Sequence, residues 1–221
     1  MANESYKGEV KAPVIPLRFS KGGKVSWCKV QKGDTVKKGQ ALAGLDSRQI
    51  EIQHKIELAD YQRARAEFDK LSRQIPETKT DDEKTEKQIA QAKLDKAVKA
   101  VEKTQLELDE MTMISPVNGV VIEDSNLRAG MRISPASFEI EILEIEKSVM
   151  ELEVDYEVIE KQKWNSGDQI KIMIEEEEVE TSIAYISPLI DDGKIELSLK
   201  ISEKQKLWPG EKVVVSFLEL I

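Results

Sequence analysis

The side chains in this sequence that could do chemistry are one thiol, one imidazole, a few thioethers and two groups of carboxylates. Cys28 is the only cysteine, which excludes an internal disulfide and a cysteine metal cluster. His54 is the only histidine, so a histidine metal site or a histidine proton relay has no second member. We predict that Cys28 fills an apolar strand position in a core and that His54 is a polar residue along a helix.

The methionines and carboxylates favour structural roles over metal binding. A soft copper site would need clustered thioethers, whereas these are dispersed and are expected to pack in cores: Met111, Met113, Met131, Met150 and Met173. The glutamates at residues 175–178 offer oxygen ligands of the kind that Ca²⁺ takes, but consecutive residues on a turn point in different directions. We therefore predict a solvated loop there and a turn at residues 191–193.

Composition and motifs exclude several classes of function. The net charge of −9 has the wrong sign for a protein that binds a phosphate backbone, so we expect no nucleic-acid partner. No nucleophile motif and no phosphate-binding glycine loop is recognisable. The sequence therefore predicts a protein that is not an enzyme, with no catalytic residues, no metal and no cofactor. The charged fraction of 34% indicates much solvated surface, as on long exposed helices.

Short strands and frequent turns flank a long helical region. The segment GGKVSWCKVQKGDTVKKGQALAGLD, residues 22–46, has turns at Gly33 and Gly39 and predicts a small β sandwich or barrel. Strand and turn patterns return at ISPVNGVV, where Asn118-Gly119 signals a tight turn. Residues 147–221 alternate apolar and polar positions in several runs. About five or six antiparallel strands with one short helix predict a small closed barrel.

The region between the strands predicts two helices. Asp46 and Gln49 have the spacing of an N-cap and its partner, and Pro76 ends the first helix near Ile75. A capping box from Thr80 to Glu83 opens the second helix. Apolar and small residues at heptad spacing predict an antiparallel coiled-coil hairpin with arms of roughly 45 Å: Leu58, Tyr61, Phe68 and Ile75, then Ala90, Leu94, Ala97, Val101, Thr104, Leu108 and Met111.

The two flanks of the helical region resemble the two halves of a lipoyl or biotinyl carrier domain. In such carriers a modified lysine follows an aspartate between the halves, but here Asp46 is followed by Ser47 and Arg48 and then by the helices. A split lipoyl domain around a coiled-coil hairpin, followed by a β barrel, is similar to the plan of HlyD-like membrane fusion proteins. Residues 149–174 resemble the barrel entry of that family, and Pro209-Gly210 matches a late barrel turn.

This resemblance implies a fold that is mainly β with a long α-helical coiled-coil hairpin. Residues 10–46 and 114–146 would form a lipoyl-like β sandwich, split by an antiparallel hairpin at residues 47–112. Residues 147–221 would form a small antiparallel β barrel.

The implied function is that of a periplasmic adaptor in a multi-component efflux or secretion transporter. Its partners would be an ABC permease with its ATPase or a proton-driven pump, an outer-membrane channel as a further partner, and other copies in a trimer or hexamer. The hairpin tip would contact a distal partner through Gln74, Ile75, Glu77, Thr78 and Lys79. We expect an extracytoplasmic protein, membrane-anchored in its native form, with the anchor absent from this chain.

Three alternatives stay open at this point. The Arg-Leu-Ser signature of adaptors that dock on an outer-membrane channel is not found near the tip, which keeps a single-membrane organism open. A lipoyl-like scaffold or carrier subunit of a multi-enzyme complex is the second alternative, and the missing lysine argues against it. The third alternative is an extracellular coiled-coil module that has no transporter.

Overall fold

The computed structural model describes residues 5–135, 137–174, 177–201 and 207–218. In these ranges the strands are β1 (Ser5–Lys11), β2 (Val14–Leu17), β3 (Gly23–Cys28), β4 (Thr35–Val36), β5 (Ala41–Leu45), β6 (Thr112–Ile114), β7 (Gly119–Glu123), β8 (Arg132–Ile133), β9 (Ile140–Leu143), β10 (Val149–Asp155), β11 (Gln169–Ile174), β12 (Glu177–Asp191), β13 (Lys194–Lys200) and β14 (Lys212–Phe217). The helices are α1 (Arg48–Gln74), α2 (Asp81–Asp109) and α3 (Tyr156–Gln162), with a 3-10 turn at Ile145–Lys147.

A closed antiparallel barrel is formed by six strands in the order β1-β10-β13-β12-β11-β14. Alternating residues point inward and make a continuous apolar core that includes Val10, Leu152, Ile172, Leu197 and Val215. Closure pairs every strand on both sides, so the barrel has no free edge. The sequence prediction of mainly β structure with a small closed barrel is confirmed.

The barrel also contains β1, which lies outside the predicted range of 147–221. Gly8 on β1 is opposite Leu152 on β10 and opposite Val213 on β14, so β1 closes the barrel. Residues 10 and 11, placed by the sequence analysis in the lipoyl-like part, lie on this strand. The alternation of apolar and polar residues that would predict this strand is weak, because β1 has only two buried side chains, Tyr6 and Val10, with Gly8 between them.

A second core lies between two four-stranded sheets, β2-β9-β7-β4 and β6-β5-β3-β8. Each sheet contains strands from both sides of the helices; Ala43 on β5, for example, is opposite Met113 on β6. The helices are therefore inserted between two neighbouring strands of one sheet. Met111 and Met113 are buried in this sandwich core, and Cys28 packs against it, as predicted for a structural thiol. Met150 is buried in the barrel core.

Helices α1 and α2 contain 27 and 29 residues and lie side by side in opposite directions. Near the sandwich, His54 Nδ1 is 2.8 Å from Thr104 Oγ1, which joins the first turns of α1 to the last turns of α2. The predicted heptad positions along both helices are half-buried, except Thr104, which is buried. Met111 lies beyond α2 in the sandwich core. None of the helices described here is sufficiently long and apolar to span a bilayer.

Two short connections join the barrel to the sandwich. Ala12 and Pro13 link β1 to β2, and the 3-10 turn links β9 to β10. The two connections contact each other, because the Glu144 amide donates to the Pro13 carbonyl at 2.9 Å. The sandwich with its helices therefore lies at one end of the barrel. In the sequence it is inserted between β1 and β10, the first two strands of the barrel.

Candidate partner-binding site

The residues considered for chemistry lie far apart in the structure. His54 is between the helices, Cys28 is on the sandwich, and the predicted turn of Asp191 and Gly193 is on the barrel. Of the glutamate run, residues 175 and 176 lie outside the described residues, while Glu178 is exposed and pairs with Lys171 at 3.0 Å. Within the described ranges, no group of three or more histidine, cysteine or acidic side chains is arranged to hold a metal ion.

The predicted tip residues lie together in the connection between α1 and α2. Helix α1 ends at Gln74, and the Ile75 amide donates to the Leu71 carbonyl at 2.9 Å. Pro76 follows, whose ring excludes the residue before it from helical geometry. The side chains of Gln74, Glu77, Thr78 and Lys79 are exposed, and Ile75 is half-buried.

A capping box holds the other end of this connection. The Thr80 hydroxyl accepts from the Glu83 amide at 3.3 Å, and the Glu83 carboxylate accepts from the amides of Thr80 and Lys79 at 3.2 and 2.7 Å. The backbone of the tip is thus fixed while its side chains face solvent. An amide, a carboxylate, a hydroxyl and an ammonium group on a fixed loop can bind a protein surface by hydrogen bonds and ion pairs.

The start of α1 differs from the predicted cap. The N-cap residue is Ser47 and the helix begins at Arg48, whereas Asp46 had been predicted to cap with Gln49 as its partner. Asp46 instead accepts from the backbone amide and the guanidinium of Arg48, with Arg48 Nε at 2.8 Å. These hydrogen bonds from Arg48 lower the pKa of Asp46 to about 2. Asp46 is thus bound by the side chain two residues later, and the residue that directly follows it is Ser47, the N-cap of α1.

A second exposed surface lies at the barrel end that faces away from the sandwich. Strand β10 leaves the connection at Val149 and ends at Asp155, which is opposite Lys194, so the β12–β13 turn lies at the far end. The register of β12 is shifted between Ile186 and Ile190, and at the end of β12, just before the turn, Leu189 and Ile190 are 76% and 52% exposed. The Tyr156 amide donates to the Gly193 carbonyl at 2.9 Å and holds α3 beside this turn.

The sequence analysis missed apolar side chains on the outer faces of the helices. Ile52, Ile56 and Leu106 are 61%, 50% and 66% exposed, although they lie next to the half-buried positions between the helices. A count of apolar residues outside the heptad positions would have found them. The exposed barrel residues Leu189 and Ile190 were missed because an apolar run before Asp-Asp-Gly reads as an ordinary buried strand.

Solved structures with this arrangement come from membrane fusion and efflux proteins. A protein of Bacteroides eggerthii DSM 20697, described as an efflux transporter, superposes with a TM-score of 0.76 at 18% identity, over 96% of this chain and 67% of its own. The membrane fusion protein Spr0693 of Streptococcus pneumoniae R6 superposes with a TM-score of 0.74 at 19% identity, over 99% of this chain and 100% of its own.

A MacA–MexA chimera that carries the Pseudomonas aeruginosa MexA α-hairpin domain superposes with a TM-score of 0.73 at 17% identity, over 97% of this chain and 80% of its own. No family model matches the sequence, and no curated protein matches it. The resemblance to membrane fusion proteins is therefore confirmed as a resemblance of fold, over nearly the whole chain.

Proposed function

We propose that this chain is the adaptor subunit of a multi-component efflux or secretion transporter, working outside the cytoplasm. The observation that carries the proposal is the complete order of parts: a barrel, a sandwich split by two long antiparallel helices, and a tip at their far end. The full-length superposition on the streptococcal membrane fusion protein supports this order as a functional plan.

In this proposal the helices form a coiled-coil hairpin that acts as a spacer. The half-buried positions on α1 and α2 repeat at the 3.5-residue period of a coiled coil. At 1.5 Å per residue, the 27 residues of α1 extend roughly 40 Å from the sandwich. The tip residues Gln74, Ile75, Glu77, Thr78 and Lys79 then contact a distal partner, which is an outer-membrane channel in a two-membrane organism.

The barrel end with Leu189 contacts the transporter in the cytoplasmic membrane. This assignment is supported by position, because the β12–β13 turn lies at the barrel end away from the sandwich, and the sandwich carries the helices and their tip. It is also supported by exposure. Leu189 is 76% exposed, and a partner that covers this apolar side chain removes its surface from water, which favours binding. An ABC permease with its ATPase and a proton-driven pump are both compatible with this surface, and copies assemble as a trimer or hexamer around the transported substrate.

The proposal is tested by site-specific photo-crosslinking in native membranes. A photoreactive amino acid replaces Leu189 in the full-length protein, Lys79 at the tip, or Lys212 at the opposite end of the barrel as a matched control. We expect Leu189 to capture an integral membrane permease, identified by mass spectrometry, and Lys212 to capture much less of it. The captured protein identifies the transporter class.

The same experiment separates the alternatives. A channel captured at Lys79 places the distal partner in an outer membrane. Adducts with soluble enzymes at all three positions would overturn the adaptor proposal and favour the scaffold function. The scaffold function is disfavoured because Asp46 is followed by Ser47 and Arg48, and neither side chain can carry a lipoyl or biotinyl amide as a lysine does.

A further inference from the structure

The outer face of the sheet β6-β5-β3-β8 carries an indole that lies flat on the neighbouring strand. Trp27 on β3 is opposite Gly44 on β5, and a Cβ atom at Gly44 would lie 2.5 Å from both Cε2 and Nε1 of Trp27. Glycine is required at position 44 because the indole fills the space above its Cα. Val25 and Cys28 pack on the sandwich core, whereas Trp27 faces outward and is half-buried.

Three exposed cations lie on the same face of this sheet. Lys24 on β3 is directly opposite Arg132 on β8, and both side chains are exposed. Lys24 precedes Trp27 by three residues, which is roughly 10 Å along a strand. On the other side of the indole, Lys29 Nζ lies 4.7 Å from the centre of the Trp27 ring. The face thus presents a flat aromatic ring with positive charge at both ends.

These cations are not neutralised within the part of the chain that the structure describes. Lys24, Lys29 and Arg132 form no ion pair with a described carboxylate. Asp46 lies beside Lys24, but its carboxylate accepts from Arg48 Nε at 2.8 Å. Like charges directly opposite each other on neighbouring strands are destabilising. An anion from outside the chain would remove this repulsion.

The composition of the chain makes this positive face unusual. The sequence has 42 aspartate and glutamate residues against 33 lysine and arginine residues, so carboxylates are abundant in the chain as a whole. A cluster of cations beside an exposed ring in an acidic protein indicates a surface whose charge matches an anionic partner.

We propose that this face binds an anionic polysaccharide. A sugar ring packs its apolar C–H side on the indole of Trp27, and the acidic groups of the adjoining sugars pair with Lys24 and Arg132 at one end. Lys29 moves off the ring and pairs with an acidic group at the other end, which its exposed side chain permits. A flat indole held in place by Gly44 fits a sugar ring better than it fits an extended acidic peptide.

This inference goes beyond the proposed function. A chain that works outside the cytoplasm meets the acidic polysaccharides of the cell envelope, and the contact would attach the sandwich to that layer. Binding of a purified sugar uses only residues of the sandwich, so it is measured without any transporter.

The proposal is tested with octagalacturonate, a chain of uronic acids, and the full chain labelled with 5-fluorotryptophan. The variants W27F, W164F and W208F assign the ¹⁹F NMR signals. We expect the Trp27 signal to shift during the titration, while the signals of Trp164 in the barrel core and of exposed Trp208 stay in place. No shift of the Trp27 signal would overturn the proposal.

Two further probes separate sugar recognition from simple charge attraction. Maltooctaose has sugar rings but no charge, and octaglutamate has carboxylates but no sugar rings. Each should bind at least about tenfold more weakly than octagalacturonate, because each lacks one of the two contacts. Equal affinity for octaglutamate would overturn the proposal and identify the face as a docking surface for an acidic protein segment.

Substitutions at the ring test the stacking contact. W27A should raise the Kd for octagalacturonate about tenfold, as loss of stacking on an aromatic ring does elsewhere. W27F keeps a flat ring and should retain most of the affinity, which separates loss of stacking from loss of folding. W208A removes a tryptophan that is 68% exposed on the barrel and should leave the Kd unchanged.

Substitutions at the cations test the charge contact. K24Q/R132Q should raise the Kd about tenfold. The matched control K70Q/K212Q removes the same charge from exposed positions elsewhere and should leave the Kd unchanged; equal losses in the two pairs would contradict the proposal. Capture of a permease at Leu189 without sugar binding would overturn this inference alone, and sugar binding without any permease would overturn the proposed function alone.

Discussion

Gly119 shows how a single residue sets the distance between two strands of the sandwich. A Cβ atom at this position would lie 2.4 Å from the Leu143 carbonyl oxygen and 2.7 Å from Ile142 Cγ2. The sequence analysis assigned Asn118-Gly119 to a tight turn, but Gly119 begins β7 and is not among the glycines with positive φ. Close approach of the neighbouring backbone, rather than turn conformation, is what requires glycine here.

Gly119→Ala is expected to destabilise the sandwich by about 3 kcal/mol, because a backbone carbonyl must move to make room for the methyl group. Gly23→Ala is the matched control, since its nearest neighbour is Leu45 Cδ1 at an ordinary contact distance of 3.4 Å. Its cost should be under about 1 kcal/mol. Urea unfolding of both variants measures the difference, and equal costs would contradict the close-approach argument.

The helix pair has almost no fully buried side chains. No residue of α1 is fully buried, and in α2 only Thr104 is. Each helix is therefore stabilised by half-buried contacts along one face, and α2 is also stabilised by its N-terminal capping box, which α1 lacks. The capping box of Thr80 and Glu83 satisfies backbone amides that would otherwise be exposed at the start of α2.

Thr80→Ala is expected to cost about 1 kcal/mol of local stability at the tip, because the Glu83 amide loses its acceptor. Hydrogen exchange should accelerate by about fivefold for the amides of the first turn of α2. Thr78→Ala removes an exposed hydroxyl two residues earlier and serves as the control. If both variants exchange alike, the capping box is not what holds the tip.

Signals within a few residues predicted the helices, whereas the placement of some strands depends on strands that are distant in the sequence. Pro76 located the end of α1 and the Thr80 capping box located the start of α2, because both signals act within a few residues. The placement of β1 could not be predicted in this way, since Gly8 pairs with Leu152 and Val213, which lie far along the chain. The outer-face residues Ile52 and Leu106 belong to no core of one chain, so a search for the core could not assign them.

The described part of the chain contains two apolar cores that share no residue. The barrel core includes Leu197 and the sandwich core includes Leu42, and both side chains are 0% exposed. Among the described residues, the chain passes between the parts that hold these cores only through the two short connections. The barrel and the sandwich should therefore unfold as separate cooperative units.

Leu197→Ala and Leu42→Ala form a matched pair that tests this separation. Each deletes a fully buried leucine side chain and should destabilise its own unit by about 2–5 kcal/mol. Labelling with 5-fluorotryptophan gives separate ¹⁹F NMR signals for Trp164 in the barrel and Trp27 in the sandwich. Leu197→Ala should shift only the Trp164 urea midpoint and Leu42→Ala only that of Trp27; coincident shifts would show a single unit.

The first strand of the barrel has a consequence for synthesis of the chain. When β1 leaves the ribosome, both of its neighbours, β10 and β14, are still untranslated. At about 5–20 residues per second, the barrel waits several seconds or more for β10 and longer for β14. Helices α1 and α2 and the strands of the sandwich are all synthesised before β10. The barrel, which lies nearest the membrane in the proposed assembly, is thus the last part to fold. Until β10 and β14 are synthesised, β1 has no strand to pair with.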